Sequence, residues 1–309
     1  MQGAAAIFPP LPFCGEEGRM RRVAFSVPKG YDGVKLKGFL RGPCRLSARQ
    51  MAKLKRVPGG LTRNGRPAAA PDVLRAGDRV ALTFPDEQIP EPAPLPLAVI
   101  YEDGDLLAVD KPAGMPMYPS PGHDRDSLFN AVGSREAQRG EAFAFRPVYR
   151  LDKDTTGLVV LAKHAYAASR LAGNVSKLYL AVCEGRLTGG GRIDLPIALK
   201  PGHSIQRAAV PGGAPAVTRW RCLRAGKAHS LLVLKLETGR THQIRVHLSA
   251  LGHPLAGDDM YGGSLAEISR QALHCCAVRF RQPVTGRLLR LRSAPPADMA
   301  ALLRAAFPG

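Results

Sequence analysis

The segment Tyr149-Arg150-Leu151-Asp152-Lys153-Asp154-Thr155-Thr156-Gly157 is the part of the chain best equipped for chemistry. Residues 146–151 are expected to form a short strand, and 158–163 is a second apolar run of strand length. The polar turn between them sets the Asp152 carboxylate at a strand end, near Arg150. Loops held by a scaffold are where catalytic groups tend to stand. A carboxylate there can serve as nucleophile or base. The same residues also suit an Asx-turn, in which Asp152 or Asp154 only caps the chain reversal.

A cation near Asp152 would favour its ionised form, and the block Arg240-Thr241-His242-Gln243-Ile244-Arg245 offers one. Thr241 is a good N-cap and Gly252 a good residue just past a helix end, so 242–251 is expected to be helical. Ile244, Leu248 and Leu251 would share a buried stripe, with His242, Arg245 and Ser249 on an adjacent polar one. Arg245 can meet the carboxylate or form a structural pair with another acid. His242 and His247 are five residues apart, about 140° around a helix at ~100° per residue. They lack the i, i+4 spacing of a shared ligand face, so no metal is expected.

Tyr179 lies in Ser176-Lys177-Leu178-Tyr179-Leu180-Ala181-Val182. Strand alternation puts Leu178, Leu180 and Val182 on one face, expected to be the core, and Lys177, Tyr179 and Ala181 on the other. A tyrosine on a cleft floor can stack on a base and handle a proton through its hydroxyl. An ordinary half-buried strand tyrosine fits the local pattern as well. Arg150, two residues before Asp152, would share its face on a strand.

These groups need elements to position them, and 309 residues suffice for a large domain and a small one. Hydrophobic residues make up 45% of the chain, enough for a sizeable core. Lys and Arg number 44 against 25 Asp and Glu, a net charge of +19. That excess favours a polyanionic partner over an acidic small metabolite, though a basic proteome or simple solubility produces the same sign. The six cysteines contain no Cys-x-x-Cys pair. They suit neither a zinc knuckle nor a dense disulfide framework, and point to a reducing cytoplasm. No apolar run reaches 18 residues, which excludes a spanning helix. The apolar stretch 4–13 is broken by prolines and reads as no signal peptide.

Residues 1–21 lack periodicity and form an extension. From 22 to 84 a small unit can be read: a strand at 23–27, a short helix at 34–41, and a helix at 48–57 capped by Ser47. The Asn64-Gly65 pair then signals a hairpin, and a last strand falls at 79–84. The second helix carries Arg49, Lys53, Lys55 and Arg56, which could reach phosphates or simply form a solvated face. Five prolines between Pro85 and Pro96 mark 85–96 as a stiff linker. From 97 to 309, short apolar runs, glycine turns and helices alternate, which indicates α+β with a largely antiparallel sheet.

The run Arg150-Leu151-Asp152-Lys153-Asp154-Thr155-Thr156-Gly157-Leu158 resembles the catalytic motif of the RluA-type RNA pseudouridine synthases. Three further blocks match that family in the same order. They are Tyr101 through Lys111-Pro112-Ala113-Gly114, Lys177 through Val182, and Gly239 through His247 with its continuation to Gly257-Asp258. A weaker match follows at Leu273-His274 and Phe280 through Pro283. The likeness covers roughly residues 97–295. The order of the small unit resembles an S4 RNA-binding domain.

The resemblance implies the pseudouridine synthase fold, a long mixed sheet flanked by helices, with a small S4-like α/β domain in front. It implies isomerisation of specific uridines in structured RNA, ribosomal RNA ahead of transfer RNA, by a cytoplasmic monomer. No cofactor, metal, membrane or obligate protein partner is implied. Asp152 takes the catalytic carboxylate's place, Arg245 that of its cation and Tyr179 that of the tyrosine at the base. Arg150, Arg240 and His242 fall where RNA contacts are expected, alongside Arg49, Lys53, Lys55 and Arg56. The Lys111-Pro112-Ala113-Gly114 turn is read as architectural. Tyr149 and Tyr118 stand where the family often has His, and Thr156 where it often has Ser. A silent RNA-binding or assembly factor on the same fold is the alternative, and a small-molecule hydrolase using Asp152 and Asp154 a third reading that the charge opposes.

Overall fold

The computed structural model describes residues 20–85, 91–141 and 144–308. The first of these segments builds a four-stranded sheet in the order β1-β4-β2-β3. Its elements are β1 (Met20–Ser26), α1 (Leu36–Arg41), α2 (Ala48–Leu54), β2 (Leu61–Arg63), β3 (Arg66–Pro67) and β4 (Arg79–Pro85). Ser47 caps α2 through a reciprocal capping box with Gln50. That helix stops at Leu54, short of the expected 57, where the chain turns into Pro58-Gly59-Gly60. Asn64 and Gly65 both adopt positive φ, as the two-residue hairpin turn between β2 and β3 requires.

Phe25, Leu36, Phe39, Leu40, Leu54 and Leu82 form the unit's own core. Tyr166 and Val284, from the larger part of the chain, complete it. The Phe25 and Tyr166 rings meet edge to face at 5.4 Å. Of the expected linker, residues 86–90 lie outside the described residues. Beyond them Ala93 is buried, and its N–H donates to Asn130 O.

The larger part holds β5 (Ala98–Glu102), β6 (Leu106–Lys111), α3 (Leu128–Gln138), β7 (Thr156–Ala162), α4 (Ala165–Leu171), β8 (Ser176–Glu184) and β9 (Gly190–Asp194). A small hairpin, β10 (Ile197–Leu199) and β11 (Arg207–Ala209), follows. Then come β12 (Val217–Ala225), β13 (His229–Leu236), α5 (Gln243–Ala250), β14 (Leu273–Arg281), β15 (Leu288–Arg292) and α6 (Ala297–Ala306). The nine-stranded sheet runs β5-β6-β7-β14-β8-β13-β12-β9, with β15 on the flank of β14. It is an α+β fold with a mixed, largely antiparallel sheet.

Strand β7 is buried along its whole length, as its unbroken apolar sequence Leu158-Val159-Val160-Leu161-Ala162 dictates. It joins β14 in the sheet's parallel pairing, where only His274↔Thr156 and Cys275↔Gly157 are in register. Gly157 has φ 111°, and a Cβ there would stand 2.4 Å from Cys275 O. Only glycine allows the two backbones to meet so closely.

Three sequence expectations are corrected. Residues 146–151 form no strand: they lie beside β7 through one bridge, Pro147↔Leu161, and irregular hydrogen bonds. Helix α5 begins at Gln243 rather than 242, because His242 has the left-handed φ of 57° and no Thr241 cap forms. Leu251, expected in the buried stripe with Ile244 and Leu248, is 40% exposed, since it already sits at the helix's C-cap.

Candidate active site

The turn that carries Asp152 is tethered along its length. Thr155 N–H donates to Asp152 O. Lys111 Nζ donates to Lys153 O at 2.7 Å and to the carbonyls of Pro112 and Met115. Arg270 Nη1 donates to Asp154 O, and Gly114 N–H to Asp154 Oδ1. Gln271 Nε2 reaches Thr155 Oγ1. The Asp152 side chain remains 27% accessible. A carboxylate open to a ligand thus stands on a backbone held from several directions.

Lys111 is 1% exposed, and burial pushes its ammonium down to about 7, against the pull of Asp154 and Asp152. Three carbonyl acceptors match the three N–H bonds of the charged form. Its role is to join the Lys111-Pro112-Ala113-Gly114 turn to the Asp152 loop.

Arg245 projects from α5 towards that carboxylate, with Nη1 3.7 Å from Asp152 Oδ2. Its fork is spent on another acid: Nε and Nη2 each donate to Asp258 at 2.7 Å. Its Cζ lies 4.8 Å over the Tyr261 ring. Burial works against the Arg245 charge, but Asp258 and then Asp152 outweigh it and raise the guanidinium's pKa. Both sequence readings of Arg245 therefore describe the same side chain. Asp258 sits in the Gly252–Asp258 block, where the sequence alone suggests no role for it. The preceding Gly257, at φ 76°, brings the chain within van der Waals limits of Arg270 O, where no Cβ fits.

Tyr179 is 4% exposed, on the face of β8 that packs into the main core with Ala181 and Cys183. This reverses the expected faces: Leu178 is 38% exposed, and Val182 belongs to a separate cluster on the opposite side with Ala256 and Met299. Sheet residues buried on both faces give alternation nothing to discriminate. Burial raises the Tyr179 pKa well above its ordinary value; Cys275 and then Asp152 add to the shift. Tyr179 is therefore a neutral phenol within the core. Tyr149 donates through its hydroxyl to Leu158 O. Tyr118 packs edge to face on Phe145. Thr156 Oγ1 is 2.9 Å from His274 Nδ1.

Arg150 is exposed and reaches Thr241 Oγ1 at 3.5 Å, which places it beside the start of α5. Arg240 is exposed and donates to Pro215 O. His242 Nδ1 is 2.8 Å from the Tyr261 hydroxyl. His247 is buried, with Thr218 Oγ1 and Leu195 O as its partners, so the two histidines serve different sites. Lys55 and Arg56 are exposed just past α2, and Lys53 is half-buried on it. The Arg49 side chain lies outside the described residues. Elsewhere Glu102, Glu136 and Glu141 approach one another, but Arg135 and Lys163 already occupy the first of these carboxylates.

Residues 105–250 match the family model described as RNA pseudouridylate synthase. The chain is 38% identical over 272 residues to the uncharacterized RNA pseudouridine synthase YjbO of Bacillus subtilis, covering 85% of this chain and 96% of that one. It is 37% identical to the ribosomal large subunit pseudouridine synthase D of Yersinia pestis, over 79% of this chain and 82% of that one. Among solved structures, human RNA pseudouridylate synthase domain containing 1 aligns with a TM-score of 0.54 at 26% identity, over 65% of this chain and 84% of that one. Human RNA pseudouridylate synthase domain containing 4, at 22% identity and a TM-score of 0.55, shares the fold. At 37–38% identity over most of both chains, the chain belongs to the RNA pseudouridine synthase family.

Proposed function

We propose that this RNA pseudouridine synthase isomerises uridines in large-subunit ribosomal RNA in the cytoplasm, with Asp152 as its catalytic carboxylate. The observation that supports this reading is the accessible Asp152 carboxylate facing the buried Arg245 guanidinium from a tethered turn. The reaction breaks the bond between uracil N1 and ribose C1′ and forms one between C5 and C1′. The proton on C5 leaves and N1 gains one, so atoms and electrons balance without a redox partner. Asp152 attacks C1′ or removes a ribose proton, which releases the base to turn. Arg245 opposes the negative charge that gathers there. The Tyr179 ring flanks the uracil, and its hydroxyl handles the C5 proton.

Arg150 fills the place of the extruded nucleotide, while Arg240 and His242 line the RNA path. The ribosomal substrate is supported by the kinship with large-subunit synthases and by the +19 charge. Residues 22–84 act as an S4-like RNA-binding domain through Arg49, Lys53, Lys55 and Arg56, with 85–96 linking it to a catalytic domain over 97–309. The test is Asp152→Asn in a single-turnover assay with ribosomal RNA, beside pseudouridine mapping of cells with and without the protein. The variant is expected to bind RNA and lose at least ~10³-fold in rate. Turnover near the parental rate would overturn the assignment.

A further inference from the structure

Away from the catalytic turn, the small unit and the large one share a cleft of about 270 Å³, lined by Arg45, Arg170, Asn174, Arg281, Gln282 and Pro283. Its three arginines come from separate elements. Arg45 lies between α1 and α2, Arg170 in the last turn of α4, and Arg281 at the end of β14. Among the described residues, no carboxylate forms an ion pair with any of them. Arg281 donates only to a backbone carbonyl, Gly286 O. Arg170 acts on the Cys44 thiol and the Tyr166 phenol, but burial pushes each up to about 12, so both are uncharged.

The remaining polar groups of the cleft are engaged. Asn174 Nδ2 donates to Arg170 O, and the Gln282 amide is bound to Asp105 and to the N–H groups of Val284 and Thr285. Three like charges held around one concavity repel each other, and an anion with several acceptor oxygens relieves that repulsion. Guanidinium forks suit phosphate oxygens in geometry as well as charge.

We propose that this cleft binds a backbone phosphate of the RNA substrate, with Arg45 of the small unit and Arg170 and Arg281 of the large one closing on it together. The proposal rests on the RNA-modifying function above and adds a binding point remote from the reacting uridine. Asn174, on the wall of this cleft, precedes Tyr179 by five residues, so their Cα atoms are no more than about 17 Å apart at ~3.3 Å per residue. A phosphate bridged by both units would also make RNA binding favour their closed packing.

The test uses the full-length protein and a transcript of a bacterial large-subunit ribosomal RNA domain. Affinity is measured across salt for the parent, the triple variant Arg45→Gln, Arg170→Gln, Arg281→Gln, and the matching triple Lys variant. The Gln variant should bind about tenfold or more weakly at low salt, with a log–log salt slope flattened by roughly 0.7–0.9 for each phosphate it no longer neutralises. The Lys variant should recover part of the affinity and the parental salt slope, since it keeps the charges and loses the forks. A folded Gln variant with parental affinity and slope would overturn the proposal. Should the Gln variant not fold, arginine modification of the parent by phenylglyoxal replaces it. Shielding of all three arginines by the transcript supports the site. Shielding by millimolar inorganic phosphate but not by the transcript refutes it. If the parent makes no pseudouridine while the Gln variant shows the affinity loss, the catalytic reading alone is retired. Normal pseudouridine formation with unchanged affinity in the Gln variant would retire the phosphate site alone.

Discussion

The Nη1 atom of Arg245 stands 3.7 Å from Asp152 Oδ2, beyond hydrogen-bond length, while the rest of the guanidinium is fixed bidentately on Asp258. One carboxylate anchors the arginine and the other faces its free edge. The charge near Asp152 is thus set by a residue in a different loop. The geometry leaves Asp152 able to change its bonding during a reaction without first breaking a short ion pair.

Replacing Asp258 by Ala should strand a buried guanidinium. Breaking one partner of a buried pair costs about 3–5 kcal/mol, and the Asp258 side chain is fully buried. Arg245 should then turn towards Asp152 and close the remaining gap. Urea denaturation should show the stability loss, and single-turnover rates should fall beyond what residual unfolding explains. Parental stability would show that Asp258 anchors nothing.

Tyr179→Phe keeps the ring and removes the hydroxyl. The rate of the chemical step should fall by roughly 10²–10⁴-fold, the usual worth of a positioned proton carrier. The neutral phenol also implies that no ionisation of Tyr179 appears in the pH–rate profile below the ordinary tyrosine range, since burial moves its pKa upward. An unchanged single-turnover rate in the Phe variant would remove the hydroxyl from the mechanism.

Stability should decline as the medium becomes acid. His247 and His274 are almost wholly buried, and burial lowers the pKa of each below 6.5. His242 shifts in the same direction for the same reason. Above 6.5 these rings are neutral in both states and their contribution is complete. As pH falls below 6.5 the unfolded chain takes up protons first, so stability is lost. Each such proton changes the unfolding free energy by about 1.4 kcal/mol per pH unit. Denaturation midpoints at pH 7.5, 6.5 and 5.5 should decrease in that order, and a flat response would refute the direction.

The Phe25–Tyr166 ring pair couples the small unit to the large one. A double-mutant cycle with Phe25→Leu and Tyr166→Leu should give a coupling energy of about 0.5–1.5 kcal/mol. A chain beginning near Leu95 would also expose Tyr166 and Val284, so it should fold with a lower melting temperature than the full chain. Additive single-mutant effects would mean that the two rings do not act together.

Much of the candidate site is legible in the sequence because its residues lie in ordered local motifs. The Asp152 turn, the α5 block and the β8 tyrosine each stand out from residue type and spacing. Orientation does not. Alternation misassigns the faces of β8, because both sides of that strand are covered over most of its length and Leu178 lies near its start. The Thr241 cap fails because His242 enters α5 from the left-handed region, which residue preferences do not foresee. Asp258 is visible as a letter, but the bond that matters joins residues 13 apart across a loop. The grip of Lys111 on Lys153 O spans 42 residues and leaves no local pattern at all.

The narrow parallel pairing of β7 with β14 has a further consequence. Strands β5, β6 and β7 and the turn that bears Asp152 lie on one side of it, and β8, which bears Tyr179, lies on the other. The proposed reacting centre straddles a two-rung seam closed at Gly157 and Cys275. A side chain larger than hydrogen at 157 would act as a wedge. It would drive the two half-sheets apart and separate the carboxylate from the tyrosine, while leaving every chemical group in the cleft intact.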